Sequence, residues 1–166
     1  ISMASNLSTS LRSLGGLTVQ RLSQGLKESN SDASGRLDAS IGFNIKATSK
    51  GVDLNITMLD YWEFVDGGRK PGKPAPVSKI LEWLTYPNVR DKMRGGQNDS
   101  SFSESEQKSL AFLISRKIGR EGTKGTDFAT NVFNSSLIKQ DLPSVVANAA
   151  YEDASAAIDK MIADFK

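Results

Sequence analysis

Apolar residues open the chain at helical spacing. Leu7, Leu11, Leu14, Val19, Leu22 and Leu26 recur mostly three or four positions apart, which puts them on one face of an N-terminal helix turned toward a core. Gly15-Gly16 falls in the middle of that pattern. Each glycine in a helix interior costs about 1 kcal/mol relative to Ala, so the expectation is a kinked helix or two short ones, unless packing holds the segment straight. The run Glu28-Ser29-Asn30-Ser31-Asp32-Ala33-Ser34-Gly35 collects side chains that compete for backbone hydrogen bonds, and a loop with a short turn over 36–40 is expected. The period then drops to two. Ile41, Phe43 and Ile45 point one way, and beyond Thr48-Ser49-Lys50-Gly51 the residues Val52, Leu54, Ile56 and Met58 alternate with Asp53, Asn55 and Thr57. This predicts a β-hairpin over about 41–58 with one wet face. Two strands alone are marginal, so the hairpin must pack on helices or gain strands from this chain or another.

Leu59 to Val65 lacks alternation and carries Tyr61, Trp62 and Phe64; a short helix or turn is favoured there over strand extension. Behind Gly67-Gly68, the sequence Arg69-Lys70-Pro71-Gly72-Lys73-Pro74-Ala75-Pro76 has three prolines that remove donors and bias their predecessors to extended forms, predicting a stiff, basic, exposed loop. Val77, Ile80, Leu81 and Leu84 predict a helix that stops before Tyr86-Pro87. Residues 88–101, with Arg90, Lys92, Arg94 and Gly95-Gly96, have no apolar period and are expected to be a mobile loop or insertion. Ser103 and Glu106 fit a capping box, opening a helix whose Leu110, Leu113, Ile114 and Ile118 share a face until Gly119 ends it. A connector rich in positive-φ positions follows over 119–126, then a segment with Phe128, Val132 and Phe133. Asp141 and Pro143 launch a final helix with an apolar stripe of Val146, Ala149, Ala150, Ala157, Ile158, Met161, Ile162 and Phe165.

A length of 166 residues is close to the ~150 typical of one domain. Twenty-one Lys and Arg against nineteen Asp and Glu leave a net charge of +2, too weak a field to imply a nucleic-acid partner by itself, so any basic patch is local. The chain has no Cys and no His. That removes the thiol nucleophile, the disulfide, the imidazole base, the usual zinc sites and the Ser-His-Asp triad, while leaving the redox compartment open. No run reaches the ~18 apolar residues of a membrane span, and the start lacks a leader pattern, so a soluble, unprocessed chain is expected. Gly67 to Pro74 spells G-x-x-x-x-G-K-P, but Pro74 replaces the hydroxyl that would hold Mg²⁺ and Pro71 stiffens a loop that must wrap phosphate. Asp60, Glu63 and Asp66 equally describe a solvated face, and no second cluster offers a metal cage. The Lys and Arg groups at 69–73, 90–94 and 116–124 have no interleaved aromatics, so they stay solvated or meet an acidic surface. No catalytic residue, cofactor or metal is expected.

Three phrases carry a resemblance. Ser34-Gly35-Arg36-Leu37-Asp38-Ala39-Ser40-Ile41 comes first. Asp60-Tyr61-Trp62-Glu63-Phe64-Val65-Asp66-Gly67-Gly68-Arg69 follows, leading into Lys73-Pro74-Ala75-Pro76 and a Trp-bearing helix. Last is Ala111-Phe112-Leu113-Ile114-Ser115-Arg116-Lys117-Ile118-Gly119-Arg120-Glu121-Gly122-Thr123. In this order they resemble the tail-completion, or head-to-tail joining (neck), proteins of tailed bacteriophages, over most of 34–133. The segment 88–105 and the length of the final helix depart from the shorter members.

The resemblance implies an α+β subunit with a small antiparallel sheet packed against several helices and a long C-terminal helix. It would be a single domain over 1–166, with a helical segment at 1–28, a family-like core at 34–133 and the last helix at 143–166. It implies a structural virion protein of the tail or neck, assembled in the host cytoplasm, not an enzyme and without a cofactor. Its partners would be itself in a ring, often six-fold, together with tail tube protein and head-side connector proteins. DNA would be passing cargo only, and no membrane is involved. Trp62, Phe64, Arg69, Lys70, Pro71, Lys73, Pro74 and Pro76 are the expected oligomer and partner interface, and Arg116, Lys117, Arg120 and Lys124 the expected partner or DNA-channel contacts. A hairpin in search of more sheet and a projecting proline arm agree with this. The alternatives are a nucleic-acid-binding module using Arg69, Lys70, Lys73, Arg116, Lys117 and Arg120, and a nucleotide-dependent enzyme built on the imperfect glycine loop.

Overall fold

A computed structural model describes residues 5–48, 51–87, 89, 93, 102–135 and 137–164. Its class is α+β, with an antiparallel hairpin and a long C-terminal helix. In chain order the elements begin with α1 (Ser5–Ser29), α2 (Arg36–Ser40), β1 (Gly42–Thr48), β2 (Gly51–Thr57), α3 (Trp62–Asp66) and β3 (Gly68–Arg69). Then come α4 (Val77–Leu84), α5 (Glu104–Glu121), β4 (Thr123–Lys124), α6 (Phe128–Phe133), a π-helical turn (Leu137–Asp141) and α7 (Leu142–Asp164). The chain folds as two compact units, one of residues 1–28, 40–59 and 128–166, the other of 29–39 and 60–127.

In the first unit, α1 runs through Gly15-Gly16 without a break and buries Leu11, Leu14, Thr18, Leu22 and Leu26. The expected interruption is absent because the two glycines have different surroundings. A Cβ on Gly15 would lie 2.5 Å from the Phe43 ring, whereas one on Gly16 would meet nothing within 4 Å. Gly15 is thus a notch that seats an aromatic of the hairpin. Gly16→Ala is expected to raise stability by about 1 kcal/mol, the helix-propensity difference. Gly15→Ala is expected to lower it, because the ring must leave its seat; urea melts of the two variants should move in opposite directions. The buried Thr18 hydroxyl donates to the Leu14 carbonyl at 2.8 Å, which satisfies it inside the helix.

The hairpin follows the sequence pattern. Phe43 faces Ile56 and Ile45 faces Leu54, while Lys46 opposes Asp53 and Asn44 opposes Asn55. The first set is half-buried and the second exposed; the turn at 49–50 lies outside the described residues. At the open end, the Leu59 N–H donates to the Ser40 hydroxyl at 3.1 Å.

Helix α1 has no acid in its first turn. Its end is capped from elsewhere: the N–H groups of Asn6 and Leu7 donate to the Asp153 carboxylate at 3.1 and 3.0 Å, where a negative charge also opposes the helix dipole. This fixes the facing of α7. Val146, Ala149, Asp153 and Ala157 are turned inward or half-buried. Tyr151, Ile158 and Ile162, on the opposite side at 100° per residue, are 75%, 56% and 55% exposed, and Met161, on the flank between the two sides, is 58% exposed. The predicted single stripe is therefore two faces; its Phe165 lies outside the described residues.

The second unit is built on α4 against α5, around Ile80, Leu84, Val89 and Ala111. Val89 comes from the stretch expected to be loop; apart from it and Met93, residues 88–101 lie outside the described residues. Helix α5 opens with the predicted capping box: Ser103 N–H donates to the Glu106 carboxylate at 2.7 Å and Glu106 N–H to the Ser103 hydroxyl at 3.3 Å. The Ser103 hydroxyl, which also donates to the Glu106 carboxylate at 2.7 Å, and then the Ser103 N–H hold that carboxyl below its ordinary range. The helix continues past Gly119 to Glu121 and ends at Gly122, φ 76°. Its inner face is Leu110, Ala111, Ile114, Ser115 and Ile118. Leu113, expected on that face, is 61% exposed.

Candidate functional site

The basic loop does not project as a free arm. Its first residues form a strand: Gly68 and Arg69 of β3 pair antiparallel with Lys124 and Thr123 of β4, and the Arg69 N–H also donates to the Thr123 hydroxyl at 3.1 Å. Farther along, Gly72 N–H donates to the Gly119 carbonyl at 2.8 Å. Pro74 lies directly against Gly119, where any side chain would keep the chains apart. The buried Ser115 hydroxyl donates to the Ala75 carbonyl at 2.6 Å. Pro76 then stands at the N-cap of α4. Residues 68–76 are thus strapped along the C-terminal half of α5, and the prolines need no strand ladder because their partner is a helix.

Two basic groups that are far apart in sequence are brought together by this strap. Arg69, Lys70 and Lys73 run beside the helix that carries Arg116, Lys117 and Arg120, with Lys124 across from Gly68. Lys70, Pro71, Lys73, Pro74 and Pro76 are exposed, as are Arg116, Lys117, Arg120 and Lys124. Trp62 is half-buried on α3, whereas Phe64 is 57% exposed, and the Arg69 guanidinium lies 5.6 Å from the centre of its ring. That is a cation–π contact, worth about 0.5–1 kcal/mol at an exposed site. Glu121 lies beside Arg120 and within 3.9 Å of Lys117, and the Arg120 hydrogen bond holds its carboxyl below the ordinary range. Exposed pairs of this kind add little stability and leave the patch basic.

The glycine loop has no phosphate geometry. Its Gly72 N–H already serves Gly119, β3 belongs to an antiparallel pair, and α4 begins only at Val77. Nearby in the same unit is an open groove of about 470 Å³, walled by Tyr61, Trp83 and Tyr86 with Arg36, Lys79 and Glu82 at its edges. Burial, and then the Asp32 carboxylate, push the Tyr61 phenol above its ordinary value, so this wall is a neutral hydrogen-bonding aromatic at physiological pH. Asp32 and Ser34 are engaged locally: the Asp38 N–H donates to Asp32 at 2.8 Å and the Arg36 N–H to Ser34 at 3.3 Å.

Sequence reasoning missed Phe112 and Leu113 as surface residues. They are 58% and 61% exposed and share the outward side of α5 with Arg116, Lys117 and Arg120, at spacings of three, four, seven and eight. The signal was available in that spacing, since the charged residues mark which side faces water. Among the described residues, no group of three or more acidic side chains is placed to hold a metal, and no helix is long and apolar enough to cross a membrane. The surface here is positive and stiffened by proline, with large apolar side chains beside the charges. Compared with known proteins, the chain matches no family model, no curated protein and no solved structure.

Proposed function

We propose that this chain is a structural subunit of a phage neck or tail, closing into a ring that completes the tail and joins it to the head connector, without catalysing a reaction. The observation that carries the reading is the large apolar surface left bare beside fixed charges. Phe112 and Leu113 on α5, and Tyr151, Ile158, Met161 and Ile162 on α7, are all more than half exposed. Soluble monomers seldom leave such clusters uncovered, and they are a mark of interaction sites. The resemblance over 34–133 supports the same reading, and so does the proline loop, held rigid enough to meet a neighbour with little loss of entropy.

Native mass spectrometry of the purified chain, with electron micrographs of the chain added to phage tail tubes, tests this. The expected result is one closed multiple of the 17.9 kDa subunit, seated at a tube end. A strict monomer under both conditions would end the reading. A second reading, a nucleic-acid-binding module, is favoured by the convergence of Arg69, Lys70 and Lys73 with Arg116, Lys117 and Arg120. It requires DNA affinity that falls steeply with salt, by a log–log slope of about −0.9 per phosphate contacted; weak, salt-independent binding dismisses it.

A further inference from the structure

We propose that the outer face of α7 in one copy docks on the outer face of α5 in the next, and that this heterologous contact builds the ring; the inference rests on the self-assembly reading above and names its surfaces. The α5 face consists of Phe112 and Leu113, 58% and 61% exposed, followed on the same side by Arg116, Lys117 and Arg120. The α7 face consists of Tyr151, Ile158, Met161 and Ile162, 75%, 56%, 58% and 55% exposed. Glu152 and Asp159, both exposed and seven residues apart, border it on one edge. From 112 to 121, α5 carries three bases and one acid; from 151 to 164, α7 carries Glu152, Asp159 and Asp164 against one lysine, Asp153 being turned inward onto α1. Each face therefore joins a patch of large apolar side chains to charge, and the charges are opposite.

That opposition selects the occupant. Pairing α7 with α7 would set Glu152 and Asp159 against their own copies, and pairing α5 with α5 would set Arg116 and Arg120 against theirs, so like charges act against both two-fold arrangements. Pairing α5 with α7 covers both apolar patches and matches the charges. A contact between two different faces uses one face on each partner and leaves the other free, so it repeats from copy to copy and closes wherever the rotation allows. Helix-on-helix packing sets ridges of side chains at three- and four-residue spacing into grooves; Ile158, Met161 and Ile162 supply one on α7, and Phe112 and Leu113 with the aliphatic stems of Arg116, Lys117 and Arg120 supply one on α5.

A charge swap tests the contact. Variant A is Arg116→Glu with Arg120→Glu; variant B is Glu152→Lys with Asp159→Lys. All four positions are exposed, and unchanged circular dichroism and melting would verify the folds. In sedimentation velocity and native mass spectrometry, each variant alone should self-associate at least tenfold more weakly than wild type. An equimolar mixture should recover the wild-type mass, because the acidic α7 of A fits the basic α5 of B and the basic α7 of B fits the acidic α5 of A. A wild-type ring that both variants still form would overturn this contact while leaving self-assembly standing. Loss in each variant without recovery in the mixture would also overturn it. A wild type that is monomeric alone and on tail tubes would remove the self-assembly reading, and this contact with it.

Discussion

Gly122→Ala is expected to destabilise the second unit by about 3 kcal/mol, because it combines backbone strain of about 1–3 kcal/mol with a steric clash. Gly122 has φ 76° and ψ −162°, a combination essentially restricted to glycine. Its missing side chain also leaves room for the neighbouring strand: a Cβ there would run into the Arg69 carbonyl oxygen. Arg69 cannot move aside without giving up its pairing with Thr123. The damage should be local in kind. Amide exchange at Arg69 and Gly72, whose N–H groups hold the strap to Thr123 and Gly119, should speed up more than exchange in the middle of α5. Urea melts and exchange rates together check this. Unchanged exchange at those two amides would mean that the strap does not depend on the glycine.

The strap also shows why the loop could be read correctly in one respect and not in another. Its exposure and stiffness follow from Pro71, Pro74 and Pro76 themselves, since each fixes its own φ and removes a donor. Its attachment depends on Ser115, Gly119, Gly122 and Thr123, which lie 40 to 54 positions beyond the residues they hold. Strands of two residues have no periodicity to detect. The hairpin was legible because seven apolar residues between Ile41 and Met58 recur at every second position in a way only a half-wet pair of strands explains, and the start of α5 because Ser103 and Glu106 satisfy each other's backbone within one turn. Gly15 was misleading for the converse reason. Helix propensity argues against it, and the Phe43 ring that occupies its place belongs to another element. On α7, period alone marks apolar residues without saying which ones face the protein. The choice was made by Asp153, which ties that helix to the amides of Asn6 and Leu7.

The second large effect separates core from surface on chemically equal substitutions. Leu22→Ala is expected to cost about 3 kcal/mol, since truncating a buried leucine forfeits its transfer energy and leaves a cavity. Leu22 is 0% exposed, so water cannot relieve the loss. Leu113→Ala removes the same atoms from a side chain 61% exposed and should change stability by no more than about 0.5 kcal/mol. Helical periodicity had placed both leucines on inner faces, and chemical denaturation of the two variants decides between that placement and an outward Leu113. The small stability effect at Leu113 has its own consequence. A leucine that contributes almost nothing to the fold of one chain, beside Phe112 and three bases, costs little to retain for a partner. Leu113→Ala should therefore lower self-association while leaving the urea midpoint in place, whereas Leu22→Ala should do the reverse at temperatures where it stays folded. Equal loss of stability from both substitutions would return Leu113 to the core.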